Sequence, residues 1–200
     1  MAADRSRRHL VIFARRPILG VGKRRLAADV GDLAALRFAR ASLARLQREL
    51  GADRRWSLWV AISPDRPSGW VARGAPLPQG PGDLGARLTR VVRALPRGPV
   101  VVIGADTPDV SRSDIARAFA RLGSNAAVLG PARDGGYWLI GLRRRPRDRL
   151  PFDGIRWSSP HTLADTLAAL GEAPVAHLQL REDVDDGAAL RRAVSRRRLR

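Results

Sequence analysis

The chain has 200 residues, no cysteine, three histidines and a formal net charge of +18. That length favours one domain with a core of its own, and the missing cysteines exclude a disulfide framework or a thiolate metal site. His9, His161 and His177 are too widely spaced for an obvious zinc set, so carboxylates, and with them Mg²⁺ or Mn²⁺, are the metal chemistry left.

Residues 9–14 read as the first strand, buried on both faces because the apolar run does not alternate. A loop rich in base and glycine follows, with Gly20, Gly22, Lys23 and Arg25. Residues 26–30 and 32–50 read as helices, Asp32 capping the second, with Leu33, Leu36, Ala39, Leu43, Leu46 and Leu50 on one stripe. Residues 56–62 form the second strand, and a Pro/Gly-rich connection leads to a helix over about 86–95. Residues 100–104 form a β-branched strand bounded by Pro99 and Gly104 and followed by Asp106, Thr107 and Pro108. Ser111 and Asp114 look like a capping box opening a helix to 122. Strands over 125–129 and 137–142 flank an Asp134-Gly135-Gly136 turn, a strong hairpin signal. Residues 157–160 open a helix to 170, 175–180 are the last strand, and a terminal helix begins at 186 or 187. Strands alternating with helices mean α/β with a mostly parallel sheet in one domain spanning 1–200, with basic tails at 1–8 and 192–200.

The arginine runs carry no interleaved aromatics, so they read as solvated loops and tails rather than a specific nucleic-acid platform. No segment reaches the length of a membrane span, and the first apolar run is too short for a signal segment; a cytoplasmic protein without membrane insertion is expected. Amid thirty-six arginines, Lys23 is the sole lysine.

Four places offer chemistry. Glycines, a helix N-terminus and a compact ammonium make the Lys23 loop a phosphate site, or else a generic basic loop; it matches neither a Walker A nor a GxGxxG pattern. Residues 79–87 hold Gln79, whose amide can read a base edge, then Gly82, Asp83, Leu84, Gly85 and Arg87. Asp106 stands where open α/β sheets bind ligands, beyond the carboxyl end of a strand, and either holds a metal or polar substrate or caps a turn. Asp183 and Asp185 put two carboxylates on one side of an extended segment, which suits a hard cation, helix capping being the alternative. Asp134 is turn chemistry first and an acceptor-binding acid second, and of Tyr137 and Trp138 one can be core while the other lines a cleft.

Taken in order, the Lys23 loop, residues 79–87, the strand ending at Asp106, the turn from Asp134 to Tyr137 and the Asp183/Asp185 pair resemble one family over about 9–190. It is a bacterial group of glycosyltransferase-A-fold proteins, some labelled arsenosugar-biosynthesis glycosyltransferases. The group is akin to phospholactate and molybdenum cofactor guanylyltransferases. The resemblance implies a three-layer, Rossmann-like nucleotide-diphospho-sugar transferase fold. Asp106, Asp183 and Asp185 would be Mg²⁺ (or Mn²⁺) ligands, and Lys23 and Asp106 the catalytic pair. Gly20, Gly22, Lys23, Arg25, Gln79, Gly82, Asp83, Leu84, Gly85 and Arg87 would bind the nucleotide. Asp134, Gly135, Gly136, Tyr137, Trp157 and Ser158 would face the acceptor or sugar. Where the family often has Lys-Thr-Arg, this chain has Lys23-Arg24-Arg25, and Arg15-Arg16 replaces a Gly-Gly pair common in sugar nucleotidyltransferases. The expected partners are a nucleotide or nucleotide-sugar and a small-molecule acceptor, with a dimer left open. The reaction expected first is nucleotidyl transfer from an NTP to a phosphorylated small molecule, releasing pyrophosphate. Glycosyl transfer from a nucleotide-diphospho-sugar is the alternative, and a non-catalytic basic nucleotide- or nucleic-acid-binding module is the reading from another class.

Overall fold

The structure, a computed structural model, describes residues 8–65, 69, 71–144 and 149–198. The elements run β1 (His9–Arg15), α1 (Arg24–Val30), α2 (Asp32–Leu50), β2 (Ser57–Ser63), β3 (Ala75–Leu77), α3 (Leu84–Ala94) and β4 (Val100–Gly104). Then follow α4 (Arg112–Arg121), β5 (Ala127–Pro131), β6 (Tyr137–Leu142), α5 (Thr162–Leu170), β7 (Val175–His177) and α6 (Gly187–Arg198).

The two strongest apolar runs make the centre. β1 and β4 lie side by side and parallel, with Leu10 opposite Val101 and Ile12 opposite Ile103. Leu10, Ile12, Val101 and Ile103 belong to one core cluster, whereas Val11, Val100 and Val102 belong to the other. Both faces of these strands are therefore buried, which is why neither run alternates apolar with polar. Outward from the centre the sheet has the order β3-β2-β1-β4-β6-β5-β7. β6 runs antiparallel to both β4 and β5, and the other pairs are parallel.

Leu43, Leu46 and Leu50 of α2 with Ile115, Ala118 and Phe119 of α4 cover one face. Leu88, Val91 and Val92 of α3 cover the other, joined by the apolar stripe of α5. The result is the expected three-layer α/β sandwich on a mostly parallel sheet. A small third cluster, Leu26, Ala35 and Val184, ties α1, α2 and α6 together.

The capping box at α4 forms as expected: Ser111 Oγ accepts from the Asp114 N–H, and Asp114 Oδ2 accepts from the Ser111 N–H at 2.9 Å. Other local expectations need correction. Gly31, at φ +83°, both ends α1 and starts α2, so Asp32 is already helical and caps nothing. Leu33 is exposed, and the buried stripe of α2 begins at Ala35. α5 starts at Thr162 rather than at Pro160, because the Thr162 hydroxyl donates to the Arg156 and Ser159 carbonyls and closes a turn ahead of the helix. The Pro/Gly-rich connection contains a three-residue edge strand, β3, where Pro76 is tolerated because one side lacks a partner strand. Of the expected tails, residues 1–7 and 199–200 lie outside the described residues, while 192–198 continue α6 and Arg192 pairs with Glu182 at 2.6 Å. Among the described residues no helix is long and apolar enough to cross a membrane.

Candidate active site

β1 and β4 end at the same edge of the sheet, where the chain must leave and its backbone groups are free to meet a ligand. Past β4, Ser42 of α2 donates to the Ala105 carbonyl at 2.6 Å and fixes the turn that presents Asp106. The Asp106 carbonyl accepts from the Val184 N–H at 3.0 Å, so the acidic segment after β7 is stitched to the end of β4. Thr107 strengthens the junction by donating to Asp183 Oδ1. Arg181 anchors the segment from behind. It is buried, paired with Asp114 at 2.8 Å and Asp109 at 2.9 Å, and its guanidinium lies over the Trp138 ring.

Lys23 reaches into this junction from the other side. It sits at φ +49° as the N-cap of α1, and its side chain is only 12% exposed. Its ammonium lies 2.9 Å from Asp106 Oδ1, 2.9 Å from Asp185 Oδ1 and 2.6 Å from the Val184 carbonyl. Arg25 holds the other oxygen of Asp185 at 3.0 Å. Burial alone would push the lysine toward losing its proton, but the two carboxylates outweigh that and leave its pKa raised. Asp183 is perturbed differently. Burial raises its carboxyl to about 6; the Thr107 hydroxyl pulls the other way, while the charges of Asp106, Asp134 and Asp185 add to the rise.

A cleft of about 740 Å³ opens in front of these groups. Its walls carry six cationic side chains, Arg15, Arg16, Lys23, Arg24, Arg25 and Arg87, against the carboxylates of Asp83, Asp106 and Asp185. Arg87 lies over the Phe13 ring at 5.5 Å. The Nε atoms of Arg16 and Arg87 are buried without a hydrogen-bond partner among the described residues. A buried donor without an acceptor is costly, so these two arginines have hydrogen-bonding capacity left over beside the cleft.

The expected nucleotide-facing residues divide. Gly22, Lys23, Arg25, Gly82, Asp83, Leu84 and Arg87 line the cleft, whereas Gly20 and Gly85 do not. Gly85 instead packs where a Cβ would collide with the Phe152 carbonyl and meet the Trp157 indole nitrogen at 2.8 Å, so its small size serves chain packing. Gln79 needs the plainest correction. It is fully buried, its Nε2 donates to the Ala14 and Ala61 carbonyls at 2.9 and 2.6 Å, and its Oε1 accepts from Arg87. With both ends of the amide used, it cannot read a base edge in this arrangement; it clamps the ends of β1 and β2 and aims Arg87.

On the acceptor side, Trp157 and Ser158 line the cleft. Asp134 is exposed and accepts from the Gly136 N–H at 2.9 Å, the turn role expected first, while its charge reaches Asp183. The Gly135 carbonyl accepts from Leu163 N–H, tying the hairpin to α5. Tyr137 does not face the cleft. Its ring lies edge-on to Trp157 at 6.4 Å in the packed face of the sheet, and burial raises its phenol pKa. Trp138 is core as well, so neither aromatic lines the cleft, contrary to the expected division.

The three acids expected to hold a metal meet at one edge but not as a cage. Among the described residues, no group of three His, Cys, Asp or Glu side chains is placed to hold a metal ion. The reason is visible: Lys23 sits between two of the carboxylates and Thr107 takes the third. Sequence reasoning missed Phe13, Arg15 and Arg16 in the cleft, and Ser42, Thr107 and Arg181 behind it. Arg15 and Arg16 were findable, since they follow the carboxyl end of β1 as Asp106 follows that of β4.

Comparison with known proteins fits this geometry. Residues 44–159, more than half of the chain, match the family described as "Uncharacterized protein conserved in bacteria (DUF2064)". The chain belongs to that family. A candidate nucleotide-diphospho-sugar transferase from Desulfovibrio desulfuricans G20 superposes with a TM-score of 0.83 at 27% identity, over 90% of this chain and 83% of that one. CMP:2-keto-3-deoxy-manno-octonic acid synthetase, solved with CTP, has a TM-score of 0.64 at 14% identity over 97% and 99% of the two chains. Rv0371c of Mycobacterium tuberculosis H37Rv, solved with manganese, has a TM-score of 0.54 at 17% identity over 95% and 99%. No curated protein matches the sequence. The fold is thus the glycosyltransferase-A-like architecture that the sequence resemblance implied, and the DUF2064 chain stands among transferase enzymes built on it.

Proposed function

We propose that this DUF2064 protein is a nucleotide-dependent transferase, and that its reaction is nucleotidyl transfer from an NTP to a phosphorylated small molecule. The observation that carries the reading is the cleft itself: a compact ammonium and five guanidinium groups outnumber the three carboxylates of its lining, with Phe13 and Trp157 beside them. A polyanion such as a triphosphate is the ligand that this excess of positive charge suits. An acceptor phosphate oxygen attacks the α-phosphorus, the bond to the β-phosphate oxygen breaks, and pyrophosphate leaves. In-line phosphoryl chemistry needs mainly positioning and charge neutralisation. Lys23, Arg15 and Arg16 neutralise the phosphates, and Arg87, aimed by Gln79 and stacked on Phe13, holds the nucleoside end. Trp157 and Ser158 border the acceptor's approach.

The donor chemistry of Asp106 and Asp185, hard oxygens beside the Val184 carbonyl, suits Mg²⁺ or Mn²⁺, which would be held there and would supply further charge neutralisation at the phosphates. The manganese complex of the Rv0371c neighbour supports that assignment. Glycosyl transfer from a nucleotide-diphospho-sugar is the second reading, favoured by the assignment of the Desulfovibrio neighbour.

A thermal-shift panel of the four NTPs and common sugar nucleotides, with and without Mg²⁺ or Mn²⁺, tests the proposal, since a ligand that binds only the folded state raises the melting temperature. Stabilisation by one NTP, followed by pyrophosphate release on adding phosphorylated acceptors, is the expected result. Stabilisation only by sugar nucleotides moves the assignment to glycosyl transfer. A response to polyanions alone, steep in salt and indifferent to metal, reduces the protein to a basic binding module.

A further inference from the structure

The Lys23 ammonium occupies a position with a specific chemistry. Three oxygens converge on it, one from Asp106, one from Asp185 and one from the Val184 backbone, all within 2.9 Å. Two carboxylates and a carbonyl are the oxygen donors a hard divalent cation takes. From this coincidence we propose that Lys23 is a built-in counter-cation for the Asp106/Asp185 pair, and that the ammonium and a divalent metal compete for the same oxygens. Metal loading then expels the Lys23 side chain into the cleft, where its charge meets a nucleotide phosphate. The inference rests on the assignment of these acids to a metal.

Electrostatics drives the exchange. With Lys23 and Arg25 in place, the two carboxylates are neutralised by two single charges, and the pair avoids repulsion without any ion. A dication on the same oxygens repels an ammonium only a few ångströms away. The loop ahead of Lys23 is open. Gly20 and Gly22 precede it at φ +71° and +77°, and among the described residues nothing beyond their chain neighbours lies within 4 Å of where a Cβ would be. Lys23 itself already lines the cleft into which it would turn. The metal therefore binds weakly to the resting protein and more tightly once a phosphate accepts the displaced ammonium, which makes metal and nucleotide binding mutually reinforcing.

Because Lys23 is the sole lysine of the chain, its release can be read directly. The full-length protein is treated briefly with an amine-acylating reagent, with and without Mn²⁺, and modification at Lys23 is followed by peptide mass spectrometry, the N-terminal amine serving as internal control. Mn²⁺ binding is measured in parallel by electron paramagnetic resonance. The expected result is a several-fold faster acylation of Lys23 with Mn²⁺ and no change at the N-terminus. Lys23→Met, neutral and of similar length, should bind Mn²⁺ several-fold more tightly than the wild type in the absence of nucleotide. Unchanged or slower acylation while Mn²⁺ binds overturns the exchange but leaves the metal assignment standing. Equal or weaker Mn²⁺ binding by a folded Lys23→Met does the same. No Mn²⁺ binding by either protein, with or without nucleotide, overturns both the exchange and the metal assignment, while the nucleotide panel still judges the transferase reading by itself.

Discussion

Lys23 illustrates how much one side chain can be asked to do. It bridges two acids from distant parts of the chain and fits because an ammonium is compact. Arginine keeps the charge but presents a broad planar fork that three oxygens at 2.6 to 2.9 Å leave no room for. Lys23→Arg should fold normally and lose on the order of a hundredfold in turnover, the scale of a misplaced catalytic charge. The measurement is steady-state rate with the best substrate of the nucleotide panel; retention of half the wild-type rate would reduce Lys23 to one more base. Asp183 gives a prediction of the opposite kind. Its carboxyl is raised to about 6 in the folded protein, above its unfolded value. The folded state thus holds a proton that the unfolded chain has already lost, so the stability this group contributes is full at low pH and disappears as pH rises through about 6. In metal-free protein, Asp183→Asn keeps an acceptor for Thr107 and removes that dependence. Between pH 4 and 7 the wild type should lose on the order of 2 kcal/mol relative to the variant, read from urea unfolding across the range. A constant difference would show that Asp183 ionises as an ordinary carboxylate.

At the scale of elements, the site is a meeting of segments that no secondary structure connects. The strand ends deliver Arg15 and Asp106, but residues 181–185 form only an isolated bridge between Arg181 and Ala132. Arg181 takes the place of a longer strand by pairing with Asp109 and with Asp114, the same residue that completes the cap of α4. Removing one partner of a buried pair leaves the other charge stranded, so Arg181→Ala should cost about 3 to 5 kcal/mol. Chemical denaturation measures the loss, and Mn²⁺ binding should weaken with it because the Asp183–Asp185 segment loses its anchor. A variant within 1 kcal/mol of wild type, judged against the typical range for surface substitutions, would mean the pair is solvated and the anchoring lies elsewhere.

Across the whole molecule, a net charge of +18 sets two kinds of anion binding against each other. Exposed arginines attract any polyanion, and salt screens their pull on charges farther away than a Debye length, about 8 Å in physiological salt. The cleft gathers Lys23 and five arginines beyond the ends of β1 and β4. Neutralising Arg196, Arg197, Arg198 and Arg200 should weaken retention on a polyanion column and flatten its salt dependence, while nucleotide affinity by calorimetry stays the same. Loss of nucleotide affinity would make the end of the chain part of the site.

What the sequence determined by itself is what depends on neighbouring residues. The unbroken apolar runs at 9–14 and 100–104 announced central strands, the Asp-Gly-Gly turn a hairpin, and Ser111 with Asp114 a capped helix, because periodicity, turn geometry and capping are local physics. Lys23, Asp106 and the 183–185 acids could be singled out by residue type and by their place after a strand. Only the tertiary structure decided what each touches. Gln79 looked like a free amide until three segments used both its ends, and Gly85 looked like room for a ligand until residues 152–157 filled it. Tyr137 turned inward because α5 and Trp157 close over that face. Above all, a lysine 83 residues before one acid and 162 before the other sits between them, and sequence spacing carries no information about distances across a sheet edge.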